Sequence, residues 1–184
     1  MNRDTTLSDR EQLIERREAF SGKLLRLVVD RVRLASGRRS TREVVLHPGA
    51  VAILPHMSDG TILLVRQYRH AVGCSLWEIP AGKIEPGEQP LITARRELLE
   101  ETGYGASSFK RLLSFYTSPG FTDERIVLFQ AQGLNPMRKY DGREISQVVP
   151  FDPATIARMI DQEKIRDGKT LLALFALGIG TIRK

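Results

Sequence analysis

Cysteine is almost absent from this chain. A lone Cys74 rules out an intrachain disulfide, and no paired Cys or His spacing of a zinc site occurs. Long apolar runs are missing as well. The longest, Leu171 to Gly180, is about half of the roughly 20 residues that a membrane-spanning helix requires. Met1 to Arg10 is polar and carries no secretory stretch. These absences predict a cytoplasmic protein with no membrane partner. Aromatic residues are sparse at 7% and form no stripe interleaved with basic side chains, so a nucleic-acid partner is not expected. There are no internal repeats and no low-complexity segments.

The remaining composition is that of an ordinary globular protein. The 184 residues are 41% hydrophobic and 27% charged, enough to bury a core without covalent staples. Lys and Arg outnumber Asp and Glu by 28 to 22, and a net charge of +6 favours anionic partners. Arg31, Arg33, Arg38, Arg39 and Arg42 contribute much of the excess from one short ribbon.

Charges of both signs surround Leu13, Ile14 and Phe20, and this region is expected to form a short helix. Leu24 to Leu34 and Thr41 to Leu46 read as a β-hairpin about a Ser36-Gly37 turn. Apolar strands follow at Ala50 to Leu54, Thr61 to Tyr68 and Leu76 to Ile79, and then a loop from Gly82 to Gly87. A helix over Pro90 to Thr102 has proline in its first turn and Gly103 at its exit. Strands recur at Lys110 to Tyr116, Arg125 to Gln132 and Ile145 to Phe151, and helices at Pro153 to Asp161 and Thr170 to Leu177. Helices and strands are interspersed without strict βαβ alternation. This predicts an α+β fold with a mixed sheet sandwiched between helices. Residues 1–46 would be an N-terminal extension and residues 47–184 the main domain.

The informative stretch is GKIEPGEQPLITARRELLEETGY, Gly82 to Tyr104. On a helix at about 100° per residue, Leu91, Ala94 and Leu98 share one face, and Glu97, Glu100 and Glu101 gather on the other. Carboxylates this close repel one another unless a cation intervenes. Oxygen-only clusters of this kind suit Mg2+ or Mn2+, which could bridge a diphosphate and activate water. A Glu-rich helix face is more often simply solvated, so the flanking loop with Gly82, Gly87 and Glu88 is what shifts the balance.

The spacing Gly82, five residues, Glu88, seven residues, then Arg96-Glu97-Leu98-x-Glu100-Glu101-x-Gly103 resembles the signature of the Nudix hydrolases at every fixed position, with Tyr104 in place of the usual closing aliphatic residue. The resemblance implies the family's α/β/α sandwich. It also implies Glu97 and Glu101 as principal metal ligands, Glu100 as a further one, and a ligating backbone carbonyl at Ala81. Arg96 and Glu88 would organise the site, while Gly82 and Gly103 would serve the loop and the helix exit.

Outside the signature, SPGFTDE with Pro119, REVVLHPGAVAIL and VRQYR are similar to the ADP-ribose pyrophosphatase branch. That similarity implies hydrolysis of the diphosphate bond of a nucleoside diphosphate sugar. ADP-ribose, giving AMP and ribose 5-phosphate, is the first choice, and GDP-mannose or another such sugar is the alternative. Every signature carboxylate is present, which weighs against a binding-only regulator. Arg69, ending a strand before the loop, is the first choice for a phosphate fork. Arg42 and Phe20 are weaker substrate-binding choices. Glu144, after a loop that could close on substrate, aligns with the branch's catalytic glutamate, and Glu124 is its rival. A second glutamate common in that loop is Gln147 here. By the same resemblance the protein is expected to be a homodimer paired through its N-terminal strands.

Overall fold

The computed structural model describes residues 10–138, 140 and 144–180, and it divides into two compact units. The first comprises residues 1–49 and 116–125; the second comprises 50–115 and 126–184.

In the first unit β1 (Gln12–Ser21), β2 (Arg26–Arg33) and β3 (Arg39–Leu46) form an antiparallel three-stranded sheet. The stretch expected to be a helix is therefore a strand, paired along its length with β2. Its charges meet opposite charges across the ladder: Arg16 forks the Asp30 carboxylate at 2.8 and 2.7 Å, Glu18 receives Arg26 at 2.6 Å, and Glu15 receives Arg31 at 3.0 Å. Such cross-strand pairs stabilise a sheet as i, i+4 pairs stabilise a helix. The Arg16 hydrogen bonds hold the Asp30 carboxyl below its ordinary range against the opposing effect of burial. Residues 116–125 join this unit through Val45, whose N–H donates to the Phe121 carbonyl at 2.8 Å.

The second unit is built on a mixed seven-stranded sheet. Its path runs β10 (Ile145–Phe151), β5 (Ile62–Arg69), β4 (Ala50–His56), β9 (Arg125–Pro136), β8 (Tyr104–Tyr116), with β6 (Cys74–Glu78) on β5 and β7 (Ala81–Lys83) on β4. β4 and β9 are parallel, whereas β4 pairs antiparallel with β5 and β7. The unbroken apolar run of β4 reflects cover on both faces. Ala52, Leu54, Leu64 and Leu128 pack with Ile156 and Met159 of α2 (Pro153–Asp161) and Ala173 and Leu174 of α3 (Gly168–Ala176). On the opposite face Val51, Ile53, Val127 and Phe129 pack with Ala94 and Leu98 of α1 (Pro90–Thr102). The α/β/α sandwich is therefore present. Among the described residues no helix is long and apolar enough to cross a membrane.

α1 has the bounds its sequence predicts, with Pro90 in the first turn and Gly103 left-handed at φ 78° beyond the last. β7 occupies the start of the predicted loop, and β8 begins at Tyr104, six residues before its predicted start. Gly103 also lies against the chain after β9: its carbonyl accepts from the N–H groups of Met137 and Arg138, and a Cβ there would collide with the Arg138 carbonyl. Gly103→Ala is expected to lower stability by more than about 1 kcal/mol, since strain and collision act together. Urea denaturation checks this; an unchanged midpoint would show that the helix exit is not constrained in this way.

Candidate active site

α1 buries Glu97 along with its apolar residues, although a carboxylate normally stays in water. The backbone of β7 lies directly on it, and a Cβ at Gly82 would collide with the Glu97 carboxylate. A side chain at position 82 would push the Glu97 carboxylate away from where Arg96 holds it, and no unusual φ is involved.

Arg96 is the hub of the acidic face. Its Nε and Nη2 donate to Glu88 at 3.1 and 3.0 Å, its Nη1 donates to Glu97 at 2.7 Å and to Glu100 at 3.2 Å, and Nη2 also reaches the Lys83 carbonyl at 3.3 Å. The Arg96 hydrogen bond, helped by the Thr93 hydroxyl, pulls the Glu88 carboxyl down to about 2. Burial pushes Glu97 upward, Arg96 opposes it, and the charges of Glu100 and Glu88 add to the rise. Burial raises Glu101 further, to about 8; the Ala81 N–H, 3.1 Å from its Oε2, counteracts, the Glu97 charge adds to the rise, and Arg69 and Lys169 work against it. Glu97, which is buried, and Glu101, partly buried one helical turn away, thus both have their proton affinity raised above that of free glutamate. A hard divalent cation would relieve the repulsion between these carboxylates, and an all-oxygen donor set fits such an ion.

The structure brings Ala81, Glu97, Glu100 and Glu101 together on α1 and β7. Among the described residues no three acidic, His or Cys side chains converge as a ready-made cage; Arg96 draws Glu97 and Glu100 toward itself.

Arg69 ends β5, and its guanidinium forks the Glu78 carboxylate at 2.7 Å through both Nε and Nη2. Glu78 is 1% exposed and also receives Lys169 Nζ. Burial would raise the Glu78 carboxyl, but Arg69 and Lys169 more than offset it, and it lies below its ordinary value. Sequence reasoning missed both Glu78 and Lys169. The signals were a single charge inside the apolar LWEIP and a lysine in the first turn of a helix.

Glu144 precedes β10, is exposed, and accepts from Gln67 Nε2 at 3.2 Å. Lys139 and Asp141 to Arg143, in the loop expected to close, lie outside the described residues. The other four predicted residues belong to the first unit. Glu124 accepts from the Thr117 hydroxyl at 2.7 Å, and Arg42 is held by Glu11 through Nε at 3.1 Å and Nη2 at 2.5 Å. Phe20 is 56% exposed, and Pro119 lines a cavity of about 280 Å³ with Tyr116 and Phe121.

The chain matches the family model described as the NUDIX domain over residues 46–174. It is 41% identical to the ADP-ribose pyrophosphatase of Bacillus subtilis (strain 168), covering 89% of this chain and 90% of that protein. It is 42% identical to the methanol dehydrogenase activator of Bacillus methanolicus, with the same coverage. Among solved structures, one titled as an ADP compounds hydrolase superposes with a TM-score of 0.81 at 23% identity, covering 92% of each chain, and so shares the fold.

The Glu88–Arg96 pair sets a pH dependence of stability. A carboxyl lowered from 4.5 to about 2 on folding stabilises the fold fully above pH 4.5, and that contribution is lost as pH falls toward 2. Glu88→Gln should therefore be less stable than the parent at pH 6, and the gap should close on acidification. Urea midpoints across that range measure it, and a pH-independent gap would contradict the pairing.

Proposed function

Because the chain belongs to the Nudix family, we propose that it hydrolyses the diphosphate bond of nucleoside diphosphate sugars, with ADP-ribose as principal substrate and AMP and ribose 5-phosphate as products. Dependence on a divalent cation goes with membership of that family, and the oxygen-only donors favour Mg2+ or Mn2+. One observation carries the reading: the carboxyl groups of Glu97 and Glu101 lie against the backbone of Ala81 and Gly82, and among the described residues Arg96 is the one cation that serves Glu88, Glu97 and Glu100.

When bound, the cation would neutralise the diphosphate and acidify a water molecule. Glu97, Glu101 and the Ala81 carbonyl would hold it, with Glu100 supplementing them once released by Arg96. Arg69 is the phosphate donor on β5, since among the described residues its Nη1 has no hydrogen-bond partner. Glu144 takes the proton from the attacking water, with Glu124 as the rival group. Most of the rate enhancement then comes from positioning and charge stabilisation, not from covalent chemistry of the protein.

The protein acts as a homodimer paired through the β1–β3 sheet, and in this arrangement Arg42 and Phe20 would reach the substrate across the subunit boundary. Support comes from β1, which is exposed along all ten residues and presents Leu13, Ile14 and Phe20 to solvent. Light scattering on the purified chain should give twice the monomer mass; a monomer would exclude this arrangement.

A substrate panel provides the functional test. ADP-ribose, GDP-mannose and other dinucleotide sugars are incubated with Mg2+ or Mn2+ and phosphatase, and phosphate release is measured. ADP-ribose is expected to lead. Binding of ADP-ribose without turnover would instead indicate a regulator. Altering groups around a metal site costs about 10- to 100-fold, so Glu101→Gln, which removes a ligand, should cost about a hundredfold or more in kcat. Near-normal turnover by the folded variant would remove Glu101 from the site.

A further inference from the structure

Lys169 stands where a helix disfavours a cation. It is the second residue of α3, in the first turn, where unpaired N–H groups make the helix end positive. Its side chain is only 12% exposed. A local rule broken at a buried position calls for a compensating role. The compensation is ionic: Nζ pairs with Glu78 and lies 3.0 Å from Asp167 Oδ1.

The neighbouring residues extend this grip. Asp167 caps α3 by accepting from the Thr170 N–H at 3.0 Å. The fully buried Thr170 hydroxyl donates to Asp167 at 2.5 Å and accepts from the Ile79 N–H at 2.9 Å. The first turn of α3 therefore holds both Glu78 and Ile79, and Ala81, two residues further on, donates to Glu101. Glu78 in turn carries the Arg69 fork.

The four charges of Arg69, Lys169, Glu78 and Asp167 cancel. Without the lysine the group would carry one excess negative charge, with Arg69 alone serving a buried carboxylate. We propose that Lys169 is a positioning residue for the diphosphate: it shares the charge of Glu78 with Arg69, which keeps the Arg69 fork anchored on the strand and its Nη1 available to a phosphate oxygen. This rests on the diphosphate reading above and adds to it a residue 65 or more positions beyond the signature, from a different face of the sheet.

Two measurements test it. Lys169→Met should raise KM for ADP-ribose about tenfold while kcat changes less than about threefold, the pattern of lost substrate binding. Lys169→Arg, which keeps the charge, should recover most of that affinity. Calorimetric binding of inorganic pyrophosphate should weaken by a similar factor in Lys169→Met, and this readout needs no turnover. If the methionine variant does not fold, Lys169→Gln, which retains a donor to Glu78 without the charge, should show the same losses. In a Glu78→Gln background the effect of Lys169→Met should shrink sharply, since the two act through one carboxylate. A variant with reduced thermal stability but unchanged KM and pyrophosphate affinity would overturn the proposal, as would an effect equally large in the Glu78→Gln background. If the parent protein cleaves no member of the substrate panel, the functional reading fails, and pyrophosphate binding alone decides the role of Lys169.

Discussion

Burying one glutamate of a helix face and half-burying the next is unfavourable twice over, through lost hydration and through mutual repulsion. In this protein that unfavourable arrangement organises its surroundings. Arg96 spans Glu88, Glu97 and Glu100 as a partial counter-charge, and the Ala81 amide turns toward Glu101. The β7 backbone approaches so closely that a side chain at position 82 would displace the Glu97 carboxylate. Each feature follows from the need to keep anionic oxygens clustered without collapse. Among the described residues Arg96 is the one cation hydrogen-bonded to Glu88, Glu97 and Glu100, so this acidic face keeps more carboxyl groups than counter-charges.

Legibility in the sequence followed the range of the interactions. α1 could be read to its last residue because its boundaries are local chemistry, a proline that starts the helix and a glycine that leaves it left-handed. The gathering of Glu97, Glu100 and Glu101 on one side of α1 was legible through their spacing on that helix. β1 was misread because its ten exposed residues lack apolar alternation, and its charges find partners 8 to 16 residues away on β2. β7 was invisible for a similar reason: three residues around a glycine have no strand propensity, and only their pairing with β4 makes them a strand. Glu78 and Lys169 meet across 91 residues, which no local pattern could announce. Arg69 stands at the end of β5 as its sequence position suggested, but its attachment to Glu78 was not foreseen.

The two units rely on different forces. The first has little apolar interior among its described residues, chiefly Val28 and Val32, and is tied together by charge pairs across β1 and β2. Pairs of this kind weaken as salt rises, because the screening length between exposed charges falls from about 10 Å at 0.1 M to about 3 Å at 1 M. The second is organised by apolar contacts on both faces of its sheet, which salt does not weaken.

The three-residue strand β7 is bound along its whole length to β4, with Ala50 opposite Lys83, Val51 opposite Gly82 and Ala52 opposite Ala81. β4 is among the most deeply enclosed segments of the chain, and peripheral fraying does not reach such strands before the domain itself opens. β7 therefore has no separate melting step available to it: heat that spares the central strands leaves the backbone of Ala81 and Gly82 lying against the carboxyl groups of Glu101 and Glu97.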